Sequence, residues 1–379
     1  MALRKSNGSS ESLVKPGSRL HTWLSLLVTG ILISLATGCR TPNLNGARRA
    51  FYAGDFERSA EVFPDKTKRD NRVLLLMERG MLEQTRGNYD ESARLWLQAT
   101  ALARELDYLS LSRSSASLVI NDETLAFRGM PFERTLCHAF TAQSFMLTGD
   151  FESAAVEGRN IVARLEARDN FPDCAFSRYI AGFTFEAMRD IDAARVQYRH
   201  AAALAPEADI DPQTGRFTNS PSPAGISGEL IYFIGIGRAE SRGPAPARVE
   251  LVSDGISLGQ AVLLTDRAQL QAATAAAMAL LQTTKAITRI AIKETIAYAV
   301  ETQNEGLGEL LRIILYALER PDTRHWDTLP RWLYVARVPV PDTMLEIEVH
   351  IAGMTGRGTL IVHQPKRTGR LYAGSVRAW

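Results

Sequence analysis

The 379-residue chain carries 44 basic against 42 acidic side chains and is 45% hydrophobic and 23% charged, the make-up of an ordinary globular protein. So even a balance excludes the basic stripe that a nucleic-acid binder needs and a polybasic patch for anionic lipid. The length has room for two or three domains.

The first residues are positive: Arg4, Lys5, Lys15 and Arg19 stand against one acid, Glu11. An apolar run of 13 residues follows, Trp23 to Leu35. It is shorter than the ~20 residues that cross a bilayer, and it suits the centre of a secretory signal. The run closes on Leu35-Ala36-Thr37-Gly38-Cys39, which resembles the bacterial lipobox. The resemblance implies cleavage before Cys39, a diacylglycerol on its thiol and acylation of its new amino group. Residues 1–38 are then a signal peptide, and lipid on Cys39 is the only prosthetic group expected. Two or more acyl chains anchor stably where one holds marginally. Arg40 is not the aspartate that marks retention at the inner membrane, so a periplasm-facing, outer-membrane location is expected.

A repeat occupies residues 39–206. Gly54-Asp55-Phe56-Glu57, Gly87-Asn88-Tyr89-Asp90 and Gly149-Asp150-Phe151-Glu152 are versions of one turn, with Arg189-Asp190-Ile191-Asp192 a degraded fourth. Five residues on stand Ser59, Ser92, Ala154 and Ala194; seven residues before stand Ala47, Gly80, Ala142 and Gly182. Nine residues on come Phe63, Trp96, Gly158 and Tyr198. Small residues let paired helices approach, glycine ends a helix in the left-handed region, and Asp or Asn caps the next. The pattern resembles the tetratricopeptide repeat, which implies an all-α solenoid with a concave face for a peptide or protein partner. Asp107 to Phe132 reads as an insertion, and Pro64 shortens the first unit.

Pro206, Pro212, Pro221 and Pro223, with Gly215 and Gly225, mark residues 207–228 as a flexible linker. Residues 229–379 read as an α+β domain. Strands are expected at Glu229–Ile234, Arg248–Val252, Leu333–Val340, Leu345–Ile351, Thr359–His363 and Leu371–Arg377. Helices are expected at Arg267–Leu281, Lys285–Gln303 and Leu307–Glu319. The fold class expected is therefore α+β and multidomain: a tetratricopeptide-like solenoid followed by a small antiparallel sheet with inserted helices. Cys137 and Cys174 read as two buried thiols, with a disulfide the alternative.

Ser117–Asp122, Gly129–His138, Gly149–Arg159, Asp322–Pro330 and Val335–Val338 together resemble a widespread family of bacterial envelope lipoproteins. That family joins a tetratricopeptide-like region to a β-rich one. Its members are often encoded beside lipoproteins that activate penicillin-binding proteins, which implies a role around peptidoglycan synthesis. The resemblance carries over no catalytic residue.

None of the six histidines has metal-ligand spacing, no Gly-x-Ser-x-Gly elbow is present, and Gly235 with Gly237 reads as a turn. No catalytic or metal site is expected. The most suggestive polar cluster is Arg324, His325, Trp326 and Asp327, bracketed by Pro321 and Pro330. One reading makes it a partner-binding surface, since Trp and Arg are common interface anchors. The other has Asp322 capping, Trp326 buried against the sheet and Arg324 paired with Asp327. The leading expectation is a non-enzymatic outer-membrane adaptor or scaffold, tethered by lipid and holding an envelope protein in its helical groove. The alternatives are a hydrolase or transferase acting on envelope polymers, and a structural subunit of an envelope assembly.

Overall fold

The computed structural model describes residues 44–64, 69–112, 126–167, 172–218, 228–302, 305–317, 324–341, 346–353, 359–363 and 365–379. Cys39, Ser117–Asp122 and Asp322 lie outside the described residues.

The first half is a series of helix pairs: α1 (Asn45–Tyr52) with α2 (Phe56–Val62), α3 (Arg72–Thr85) with α4 (Tyr89–Ser112), α5 (Pro131–Thr148) with α6 (Phe151–Leu165), and α7 (Ala175–Ala187) with α8 (Ile191–Leu204). The recurring turn has one structure four times over. Gly54, Gly87 and Gly149 take φ of +79°, +82° and +84°, and Arg189 takes +64°. The next residue's N–H reaches back to the carbonyl five before it, as Asp55 to Ala50 and Asp150 to Phe145, the hydrogen bond of a Schellman ending. Asp55, Asp150 and Asp190 then cap the following helix by accepting the N–H of Arg58, Ser153 and Ala193. Asn88 instead turns its side-chain amide back to Glu83 at 2.6 Å.

Small residues sit where the pairs touch. A Cβ on Gly80 would stand 2.3 Å from Trp96 Nε1, and one on Gly182 would stand 2.8 Å from the Tyr198 ring. Arg189 is the exception in the turns, since a left-handed residue with a Cβ costs roughly 1–2 kcal/mol. Arg189→Gly is expected to raise stability by about 0.5–1 kcal/mol, because glycine's extra freedom in the unfolded chain offsets part of the gain. A thermal or urea midpoint checks this; a lower midpoint would mean that the arginine side chain itself stabilises the turn.

The second half is two sheets and a helical pair, not one antiparallel sheet. Strands β1 (Gly228–Ile236), β4 (Val262–Asp266), β5 (Trp332–Val340), β8 (Lys366–Thr368) and β9 (Leu371–Ala378) form a five-stranded sheet in the order β4-β5-β1-β9-β8. In it β1 is antiparallel to β5 but parallel to β9. Strands β2 (Arg248–Ser253), β3 (Ile256–Gln260), β6 (Ile347–Ala352) and β7 (Thr359–His363) form an antiparallel sheet in the order β3-β2-β6-β7. The two helices expected between residues 267 and 303 are one, α9 (Arg267–Glu301), followed by α10 (Glu305–Ala317). Gln282-Thr283-Thr284 contains neither glycine nor proline, so nothing there ends a helix. No helix among the described residues is long and apolar enough to cross a membrane.

Packing follows from alternation along β1. Ile231 and Phe233 join the core shared with the helices, while Leu230, Tyr232, Ile234 and Ile236 join the core shared with the second sheet. In β5, Leu333 and Val335 likewise face the helices, and Tyr334, Ala336 and Val338 face the other way. Residues 44–379 thus stack as helices, five-stranded sheet and four-stranded sheet, within one compact unit. The described part of the proline-rich segment, residues 206–218, packs on the helices as well. Pro206–Ala208 is a turn of 3₁₀ helix, and Phe217 stacks on Tyr179 with ring centroids 5.4 Å apart. Cys137 and Cys174 are free, buried thiols, and burial pushes both above the ordinary thiol range.

Candidate functional site

The segment 324–331 leads into β5 and lies on the seam between helices and sheet. Trp326 is fully buried: its ring meets Trp96 of α4 and Phe140 of α5 edge-on, with centroids 5.9 Å away in each case. It is therefore a core residue and not an exposed anchor, and its aromatic partners come from helices. Arg324 donates to Asn71 Oδ1 at 3.0 Å and to the Asp70 carbonyl at 3.3 Å, with its guanidinium over the Phe127 ring. Asp327 pairs with His325 at 3.6 Å and with Arg48 at 3.8 Å. Of the four residues expected to form a partner-binding surface, Trp326 is buried in the core while Arg324, His325 and Asp327 are half-buried at the seam, and Asp327 pairs with residues other than Arg324. Packing against the helix pairs removes Trp326 from the surface.

Two glutamates missing from that expectation hold the segment. Glu78 of α3 is fully buried and accepts hydrogen bonds from Arg48 Nε at 3.0 Å, the Asp327 N–H at 3.0 Å and the Thr328 N–H at 3.3 Å. Glu133 of α5, also fully buried, accepts from the N–H of Met130 and of Trp326, each at 2.8 Å. Its Oε1 stands 3.9 Å from Arg267, the first residue of α9. Burial lifts the Glu133 carboxyl above the usual range, against the opposing pull of Arg267 and the two N–H donors. Asp327 shifts the other way: burial opposes its charge, but His325 and Arg48 hold it below the usual range. Both glutamates carried a sequence signal, an acid set among core positions: Met77-Glu78 ahead of Gly80-Met81, and Phe132-Glu133 ahead of Leu136-Cys137.

A second polar tie fastens β5 to α7. Arg337, nearly fully buried, donates to Glu186 Oε1 at 2.6 Å and to both oxygens of Glu229, and also reaches the Thr214 carbonyl at 3.0 Å. Burial disfavours the Glu186 charge, yet Arg337 brings its carboxyl below the ordinary range. Such ties set which surfaces stay open. The inner helices α5 and α7 are covered by the chain's own sheet, with Phe176 edge-on to Phe233 of β1 at 6.4 Å.

A groove of about 1230 Å³ lies open beside α7 and α8. One wall is the start of α7 and the end of α8, at Ala175 and Leu204–Glu207; another is the Pro244–Ala247 run. The third is the continuous stretch from Gly259 to Asp266. This stretch spans β3 and β4, each the outermost strand of its own sheet. The far end of β4 is engaged, since Thr265 Oγ1 accepts the Phe176 N–H at 3.1 Å and so caps the first turn of α7. Asp266 is tied to Arg331 at 2.6 Å and Asp173 to Arg178 at 2.9 Å, and the walls mix such polar groups with apolar ones, Leu263, Leu270, Phe217 and Tyr334 among them. Chemically the groove offers strand edges between walls of mixed polarity. Among the described residues no His, Cys, Asp and Glu side chains group as metal ligands.

No protein-family model matches the chain, and no curated protein matches it. Among solved structures it is similar to the crystal structure of BtubC (BKLC) from P. vanneervenii, at 12% identity and a TM-score of 0.31, over 74% of this chain and 81% of that one. A likeness of that size carries no argument about fold or role.

Proposed function

We propose that this chain is a lipid-anchored adaptor of the bacterial envelope that holds an extended segment of a partner protein. The repeated helix pairs are read as tetratricopeptide-like, with the binding site moved from their inner face to the open groove at their end. One observation carries this reading: the edge strands β3 and β4 both border one open groove of mixed polar and apolar walls. An outermost strand presents unpaired main-chain N–H and C=O groups, and an extended peptide adds to it by strand pairing while its side chains fill alternate pockets. Eight residues from Gly259 to Asp266 span roughly 26 Å in extended form, a usual length for such recognition. The anchor is read from the lipobox at Cys39, and the link to peptidoglycan synthesis from the family resemblance.

Two measurements test the proposal. Cys39→Ser is expected to release the protein from the outer-membrane fraction, and its retention there would remove the lipid anchor from the account. A photo-activated cross-linking residue at Leu263 is expected to capture a defined envelope protein in cells. The same residue at Leu97, which is exposed on α4 away from the groove, serves as control. Equal capture at both positions, or none at Leu263, would sink the adaptor reading.

A further inference from the structure

A second, smaller cavity of about 250 Å³ lies between the inner helices and the five-stranded sheet. Phe140, Phe176 and Phe233 give it apolar walls, and no Asp or Glu belongs to its lining. Two arginines do, and their charges are met differently. Arg86 is paired with Glu57 and Glu83. Arg377 is buried, and its guanidinium donates only to neutral main-chain carbonyls, those of Thr328, Gly235, Gly237 and Ala378. Among the described residues no carboxylate stands within ion-pair distance of it. Burial brings the guanidinium down to about 10, which leaves it a cation at neutral pH. Two hydroxyls on the same lining are also unmatched. Neither buried Tyr89 nor half-buried Ser375 makes a side-chain hydrogen bond among the described residues. A buried charge without a counter-charge and a buried hydroxyl without a partner both cost stability.

We propose that this cavity binds a small organic anion, a monocarboxylate carried on one apolar ring. The carboxylate supplies the negative charge that Arg377 lacks, and it accepts from the Tyr89 and Ser375 hydroxyls. The carbonyls already take the N–H donors of Arg377, so its charge acts through space and not through a direct bond. Away from water that attraction is weakly screened and reaches beyond contact distance. One uncompensated cation calls for one negative charge, since a second would be buried without a partner. The body fits the size: an apolar cavity of roughly 150 Å³ takes up benzene, and this one has space for a ring and its carboxylate. Neither the groove nor the lipid anchor enters into this site.

The test uses the full chain and titration calorimetry with two matched pairs of probes, benzoate with benzamide and phenylacetate with phenylacetamide. At least one carboxylate is expected to bind at millimolar concentration or better, and at least tenfold more tightly than its own amide. Arg377→Met is expected to remove that preference, because the cation is gone while much of the volume remains. The double variant Tyr89→Phe with Ser375→Ala keeps Arg377 and the rings of the wall. It is expected to weaken carboxylate binding at least tenfold, and it stands in should Arg377→Met fail to fold. Ser375→Tyr, which fills the cavity with a ring of its own, is expected to abolish binding and so places the site. Binding of neither carboxylate, equal binding of the amides, or undiminished binding by a folded variant would overturn the proposal.

Discussion

Glu78→Ala is expected to lower the stability of the folded chain by about 3–5 kcal/mol, the usual effect of removing one partner from a buried ionic pair. The carboxylate accepts from Arg48 and from two successive main-chain N–H groups, those of Asp327 and Thr328. Truncation strands all of these donors where water cannot replace the lost acceptor. Burial works against the Arg48 charge, and Glu78 and Asp327 together outweigh it, so the pair acts as a unit. Urea unfolding of the purified protein measures the loss. A change below about 1 kcal/mol would mean that the segment is held by its apolar contacts alone. Glu91→Ala makes the comparison, since Glu91 pairs with Arg94 on the exposed face of α4. Its expected effect is within about 0.5 kcal/mol.

Trp326→Ala is expected to cost about 3–5 kcal/mol as well, through a different physical term. The indole sits in a chain of rings that runs from Trp96 and Phe140 to Phe176 and on to Phe233 of β1. Removing it opens a void at the point where α4, α5 and the approach to β5 meet. It also leaves Thr328 Oγ1 without the indole N–H that donates to it at 3.1 Å. Trp326→Phe keeps part of the ring contact and is expected to lose less than the alanine variant. Chemical unfolding followed by near-ultraviolet circular dichroism checks both. A loss in Trp326→Ala no greater than that of an exposed substitution such as Leu97→Ala would contradict burial of the indole.

Some of this structure is legible residue by residue. The four turns at Gly54, Gly87, Gly149 and Arg189 rest on bonds that span five residues or fewer, so a short motif locates them: Gly-Asp twice, Gly-Asn once and the degraded Arg-Asp once. Strand β6 is legible because Ile347, Val349 and Ile351 alternate with polar neighbours. Strand β1 shows instead as a continuous apolar run, as expected of a strand buried on both faces. The short strands β3, β4 and β8 escaped the reading. Both the β2–β3 and the β4–β5 pairings shift register through an irregularity, which spoils a period-two pattern over five residues. The length of α9 escaped too, because a lapse in apolar spacing is not a stop signal.

The sequence by itself determined the local elements: the repeated turns, their aspartate caps, the small residues where paired helices touch, and most of the strands. Tertiary structure alone decided that β1 runs parallel to β9, that the sheet covers the inner helices, and that Trp326 is buried with the N–H groups of Trp326, Asp327 and Thr328 on Glu133 and Glu78. The reason is separation along the chain. A turn or a cap is made by neighbours and is written in one short window. The partners of Trp326 lie roughly 190 and 230 residues away, and only burial in a shared core brings them together.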